Sequence, residues 1–409
     1  MLFPDDKPDS PTGPGAVVWS ASASCRGGTG ARVATIGTGD QPGLPASPRS
    51  RTDRPLAPLG LLSAAAAPHG QLVIAGAGKA RSEGLLVQGS ADGPFAALSD
   101  APPAAGPKAS TTAYLGDVAL ASATGERSQS GVRLQIERYF AHAFGPATTV
   151  PATGGSPIGA LTVAMDFRTD ALLAWTQGGV LYARDVPASG VHHPLQRIAL
   201  AGSHPHLVAL LSDDNRGILM WTRQHGSQTS IYMDYSAAGV RFGAPRLLEH
   251  FEDPDGLPPP AGALELIRLS SESVMAAWAG ASAGHWVLRT APIDQRGLQQ
   301  VSTISNPGGD ALLNALAPGP KGEAIVLWSQ PQTTSTGKPD LGEQVLLAAR
   351  GIDAAPGKTI FGAPEQVAAP APISDATLAL DPASDRAIAV WQGQGGAIDY
   401  SIRSSDPTG

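Results

Sequence analysis

The chain has 409 residues, 42% of them hydrophobic and 15% charged, with 49 Gly and 37 Pro; this is a globular composition whose many turn residues favour short elements over long helices. The formal charge of -7 and pI near 5.7 leave no basic footprint, which argues against nucleic acid or an anionic membrane surface as partner. The single cysteine, Cys25, excludes an intramolecular disulfide and thiolate metal clusters, and no apolar run approaches the roughly 18 residues of a membrane span.

Residues 1–15, MLFPDDKPDSPTGPG, are acidic and Pro-rich and are expected to be disordered or to add part of a strand. They lack the basic and then apolar pattern of a signal peptide. Ala16-Val17-Val18-Trp19 is the first apolar run to end in tryptophan. Residues 70–76 (GQLVIAG) and 116–122 (GDVALAS) keep the turn and the run but not the tryptophan, which returns in Leu172-Leu173-Ala174-Trp175.

Residues 203–248 hold the most complete unit. The run Leu207–Leu211, the turn-like cluster 212–217 (SDDNRG) and the run 218–221 (ILMW) form a hairpin signal. A polar loop at 222–229 leads to a third run, Ile231 to Tyr235, and a Gly-containing turn leads to a fourth around Arg246-Leu247-Leu248. The second run is apolar without alternation, as in a strand buried on both faces. A lone sheet cannot bury both its faces, so copies of the unit are expected to stack.

The tryptophan recurs in 274–278 (VMAAW), 325–328 (IVLW) and 388–391 (IAVW), so six of seven tryptophans share one position. From Trp175 onward the spacings are 46, 57, 50 and 63 residues, close to the roughly 40 to 50 of propeller blades. The 156 residues between Trp19 and Trp175 equal three times 52 and accommodate the two degenerate units. Phe144-Gly145-Pro146, Phe242-Gly243-Ala244-Pro245 and Phe361-Gly362-Ala363-Pro364 each stand before a fourth strand, with Pro94-Phe95 as a degenerate version; proline there suits an edge strand. The fold expected is all-β, a β-propeller of four-stranded antiparallel blades over 16–409 as a single domain. Eight blades fit best and seven are the alternative. No segment carries a 3.6-residue apolar period, so almost no helix is expected, and the insertions 38–58, 249–262 and 330–343 read as loops.

This pattern of turn, apolar run, Trp, polar loop, strand and Phe-Gly-x-Pro resembles bacterial β-propeller repeat proteins of the sialidase-like type. The resemblance implies a propeller, often secreted or at the cell surface, without implying an activity. Ser212 to Gly217 followed by Trp221 resembles the sialidase Asp box, but Arg216 stands where the box has Gly and the Trp comes two positions late. A sialidase would also need an Arg cluster and a Tyr nucleophile, and Arg184, Arg223, Arg289 and Arg350 with Tyr182, Tyr232, Tyr235 and Tyr400 do not repeat that pattern.

His192-His193 and His204-x-His206 lie on opposite sides of a fourth strand, which argues against pooling them as a metal site. Asp253-Pro254-Asp255-Gly256 lacks the alternating carboxylates and closing Glu of a calcium loop. No catalytic motif, metal set or cofactor fingerprint is found. In a propeller meander the loops from second to third strand and from fourth strand to the next first strand share one face. That face is expected to gather His204, His206, Arg223, His225, Glu252, Asp253, Asp255, His285 and Trp286 as a ligand-binding set. The function expected is a non-catalytic binding or scaffold propeller for a protein or glycan ligand, monomeric and without cofactor. A sialidase-like or other glycan-active hydrolase is the alternative.

Overall fold

The computed structural model describes residues 15–21, 30–36, 60–67, 71–77, 84–90, 95–97, 108–112, 118–124, 131–138, 143–144, 148–151, 156–189, 193–202, 205–212, 215–237, 241–256, 259–260, 262–269, 273–319, 322–333, 339–355, 358–381, 386–393 and 398–403. Cys25, His192, His204 and the acidic start 1–14 lie outside them. The described chain is all-β: antiparallel sheets of two to five strands follow one another in sequence order. Numbered along the chain, they occupy 15–36, 60–97, 108–151, 158–200, 207–252, 264–303, 312–371 and 374–403. No α-helix occurs among the described residues, and a short 3-10 turn forms at Pro254–Gly256.

The chain forms two compact units. The first holds the first to fourth sheets; the second holds the sixth to eighth and most of the fifth, whose residues 215–217 and 236–242 belong to the first unit. Within each unit the leading strands of successive sheets lie side by side, in the second unit Leu207–Leu211, Leu264–Arg268, Leu312–Pro318 and Ser374–Asp381. Each sheet therefore turns its faces to its neighbours, which is what a fully apolar second strand requires.

Strand Val274–Ser282 shows how. Val274, Ala276 and Trp278 pack with Met220, Ile231 and Met233 of the preceding sheet, while Met275 and Ala277 pack with Leu313, Val326 and Trp328 of the following one. Successive side chains leave a strand on opposite faces, so a strand with sheets on both sides has no position left for a polar residue. Trp175, Trp221, Trp278, Trp328 and Trp391 all sit on second strands, between 0% and 8% exposed. The degenerate units also supply second strands, Gln71–Ala77 and Val118–Thr124.

The indoles are held differently. Trp278 Nε1 donates to Glu249 Oε2 at 2.7 Å and Trp328 Nε1 to Gln330 Oε1 at 3.2 Å. Trp175 and Trp221 instead stack on the cross-strand residues Tyr182 and Tyr232, at 6.1 and 5.7 Å between centroids, with their ring N–H groups unpartnered. After the tryptophan a threonine ties the second strand to the segment entering the first: Ala160 N donates to Thr176 Oγ1 at 2.9 Å and His206 N to Thr222 Oγ1 at 2.8 Å.

The Phe-Gly-x-Pro landmark marks a break within the outer strand, not only its approach. Phe242 pairs with Ser236, and pairing resumes at Arg246 with Met233; Phe361 pairs with Gly351, and pairing resumes at Glu365 with Ala348. Proline has no ladder N–H, and the Phe ring fills the space over a glycine. A Cβ on Gly351 would stand 2.7 Å from Phe361 Cε1, and one on Gly217 3.1 Å from Phe242 Cζ.

Parts of three segments read as loops prove to be strand. The polar stretch 222–229 extends Gly217–His225 and opens Gln228–Ala237, with pairing continuous to His225 and Gln228 around a two-residue turn. Glu249 to Glu252 likewise continue the outer strand Arg246–Glu252. Part of 330–343 extends the strands Ala324–Thr333 and Pro339–Ala355. The ladder persists past the core because backbone pairing does not need apolar side chains.

Candidate functional site

Extension of the fifth sheet decides where the predicted ligand residues go. Gln224, Thr229 and Phe251 form one cross-strand row; His225, Gln228 and Glu252 form the next. Neighbouring rows face opposite sides. Phe251 meets Trp286 of the sixth sheet edge to face, at 5.5 Å between centroids and 86°, so the Gln224 row looks toward the sixth sheet. Arg223, His225 and Glu252 take the other side, and His225 and Glu252 are exposed.

Asp253 follows in alternation on the Gln224 side. Its N–H donates to Ser227 O at 2.7 Å, and Gln224 Nε2 donates to its Oδ2 at 3.2 Å. Only 3% of Asp253 is exposed, and its Oδ1 is buried without a partner, as is the hydroxyl of Thr229. Across the aromatic pair a second carboxylate is held: Asp310 Oδ1 accepts the Trp286 N–H at 2.8 Å and lies 3.5 Å from His285 Nδ1. Asp310 and His285 are about one-third exposed, at 32% and 38%. One carboxylate therefore lies two residues beyond Phe251, and another accepts the backbone N–H of Trp286.

His206 stands at the same end of the fifth sheet, its Nε2 3.2 Å from Pro259 O. Burial pushes its pKa down, so near neutrality the ring is uncharged and Nε2 carries the proton that Pro259 accepts. Trp286 is 6% exposed and braces the site from within instead of offering a stacking face. Asp255 contributes to the turn after Asp253; His204 lies outside the described residues. Of the predicted set, Trp286 meets Phe251 and Asp310, His285 meets Asp310, Asp253 meets Gln224 and His206 is held on Pro259; Gln224, Phe251 and Asp310 are partners that the sequence did not single out. Asp310 follows a Gly-Gly turn and lies 24 residues from the N–H that it holds, so no local motif announces it.

A further acid–base cluster lies in the fourth sheet, within the first unit. Asp166 Oδ1 accepts the N–H groups of Arg168 and Asp170, both at 2.9 Å, and Asp170 Oδ1 accepts that of Ala188 at 2.7 Å. Asp185 Oδ2 meets His193 Nδ1 at 3.2 Å. One oxygen each of Asp166 and Asp185 is buried without a partner. Desolvation pushes Asp185 up to about 6, against the opposing pull of His193 and with help from Asp170 and Asp166. Asp166 is raised for the same main reason. On the leading strand of the sixth sheet, desolvation pushes Glu265 up to about 7, although its carboxylate accepts the Leu316 N–H at 3.1 Å.

No family model matches the chain, and no curated protein sequence matches it. Among solved structures it is similar to puromycin hydrolase, at 18% identity and TM-score 0.45 over 86% of this chain and 54% of that one. It is also similar to prolyl oligopeptidase B from Galerina marginata, at 9% and 0.43 over 83% and 50%, and to an ulvan lyase, at 8% and 0.46 over 85% and 94%. The chain spans about half the length of the two hydrolases. The expectation of a non-catalytic binding or scaffold protein is corrected by this finding, since these neighbours are enzymes. Likeness of this degree transfers no activity, and a functional reading rests on the chain's own residues.

Proposed function

We propose that the protein is a glycan-active hydrolase built on an eight-bladed β-propeller, with its reaction at the Asp253–Asp310 face. The propeller reading is supported by the side-by-side leading strands within each unit and by the tryptophan at one position of successive sheets. The observation that carries the functional reading is that each residue of the Phe251–Trp286 contact has a carboxylate near it, Asp253 two residues past Phe251 and Asp310 on the Trp286 N–H, each held by its own donors. Glycosidic hydrolysis uses two carboxyl groups, one protonating the leaving oxygen while the other activates water or attacks carbon. Asp310, the more exposed and paired with His285, is positioned to exchange protons with substrate. Asp253, fixed by Gln224 and by its own backbone N–H, supplies the second carboxylate.

Reducing-end release from a panel of neutral, amino-bearing and acidic polysaccharides tests this. Turnover on at least one of them is expected, with Asp310→Asn and Asp253→Asn each lowering it by about a hundredfold or more, as for loss of a general acid or base. Absence of turnover across the panel, or turnover that survives both substitutions in folded protein, overturns the proposal.

A further inference from the structure

Asp253 is an incomplete arrangement. One carboxylate oxygen is occupied by the Gln224 amide at 3.2 Å; the other is buried with no partner, and so is the Thr229 hydroxyl in the row beside it. A buried carboxylate oxygen without a donor is costly, and what satisfies it must bring an O–H or N–H. The surroundings bar a negative charge. Asp253 and Asp310 already place two carboxylates here, His206 is kept neutral by burial, and His285 is engaged with Asp310. Arg223 takes the opposite side of the fifth sheet, and Arg289 is committed to Glu249 at 3.5 Å.

Resting on the reading of this face as glycan-active, we infer that the buried Asp253 carboxylate selects a hydroxyl or ammonium donor, so that the substrate is a neutral or amino-bearing glycan and not a sialylated, uronic or sulfated one. The unpartnered Asp253 oxygen marks the place: the sugar O–H or N–H donates there, beside the Gln224 amide that holds the other oxygen. The Thr229 hydroxyl, which can donate or accept, completes the contact. An acidic sugar would set a third negative charge against the two carboxylates.

Calorimetric titration of Asp310→Asn protein, in which turnover is suppressed, with a neutral oligoglucan, a chitosan oligomer and an oligogalacturonate reads this directly. The neutral or the amino oligomer is expected to bind at least about tenfold more tightly than the acidic one, and adding Asp253→Asn to cost about tenfold, the loss of one charged hydrogen bond. Thr229→Val, which removes the hydroxyl that completes the contact and keeps the carboxylate, is expected to weaken binding about fivefold and provides the test should the Asp253 variant not fold. Equal or tighter binding of the oligogalacturonate overturns this inference and leaves the hydrolase reading standing. Neutral binding that ignores both Asp253→Asn and Thr229→Val overturns it as well. Failure of all three oligomers to bind removes the hydrolase reading together with it.

Discussion

Replacing Asp185 with Asn should change how stability depends on pH, by an amount that follows from the burial of its carboxyl group. Its side chain is 6% exposed, and desolvation lifts its pKa from the ordinary 3.8 to about 6. A carboxyl that holds its proton more tightly in the folded than in the unfolded state favours folding while protonated. Its contribution is therefore fully present below pH 3.8 and is lost as pH rises through about 6. A shift of about two units corresponds to a loss on the order of 3 kcal/mol across that window. Glu265, raised to about 7 by burial, adds a loss of the same sign, so the wild-type slope alone does not isolate Asp185. The difference between wild type and Asp185→Asn in urea unfolding, followed from pH 4 to pH 7.5, does isolate it. The neutral variant is expected to gain on the wild type by roughly 3 kcal/mol as pH rises over that range. His193, which pulls the Asp185 pKa down, provides the control: His193→Ala should steepen the wild-type slope. Parallel stability curves for wild type and Asp185→Asn would refute the argument, because they would mean that the carboxyl sees the same environment folded and unfolded.

Two substitutions in the second unit test its packing. A Cβ at Gly280 would stand 2.5 Å from Glu249 Oε2 and 2.6 Å from Oε1, so Gly280→Ala should displace the carboxylate that receives the Trp278 N–H and destabilise by about 1 to 3 kcal/mol. Tryptophan fluorescence during denaturant unfolding reads this, and an unchanged midpoint would show that the cradle is not needed. Trp221→Ala removes a ring that is 1% exposed and should cost about 3 to 5 kcal/mol, measured as a fall in Tm. If Tm held while glycan hydrolysis vanished, the ring would belong to the site and not to the core.

What could be read before the structure was known is what burial dictates. A second strand between two sheets admits only apolar residues, so runs such as 274–278 and 325–328 announce themselves, and even in the tryptophan-less units residues 71–76 and 118–122 fall on second strands. Polar strand ends carry no such signature. Residues 222–225 and 228–229 read as loop because nothing apolar marks them, yet each pairs across the hairpin. The error mattered for function, because a loop leaves the direction of its side chains open whereas a strand assigns them in alternation. Arg223 and His225 thereby left the company of Asp253, and Gln224, one residue from each, became its partner. Asp310 and the pairing of Asp185 with His193 were hidden for a different reason: each depends on two segments meeting at the ends of strands whose register only the folded ladder sets. In a stacked-sheet fold the tryptophans lie where packing leaves no choice. The carboxylates lie where the ladder runs past the core, and there a shift of one residue exchanges a site residue for a solvent-facing one.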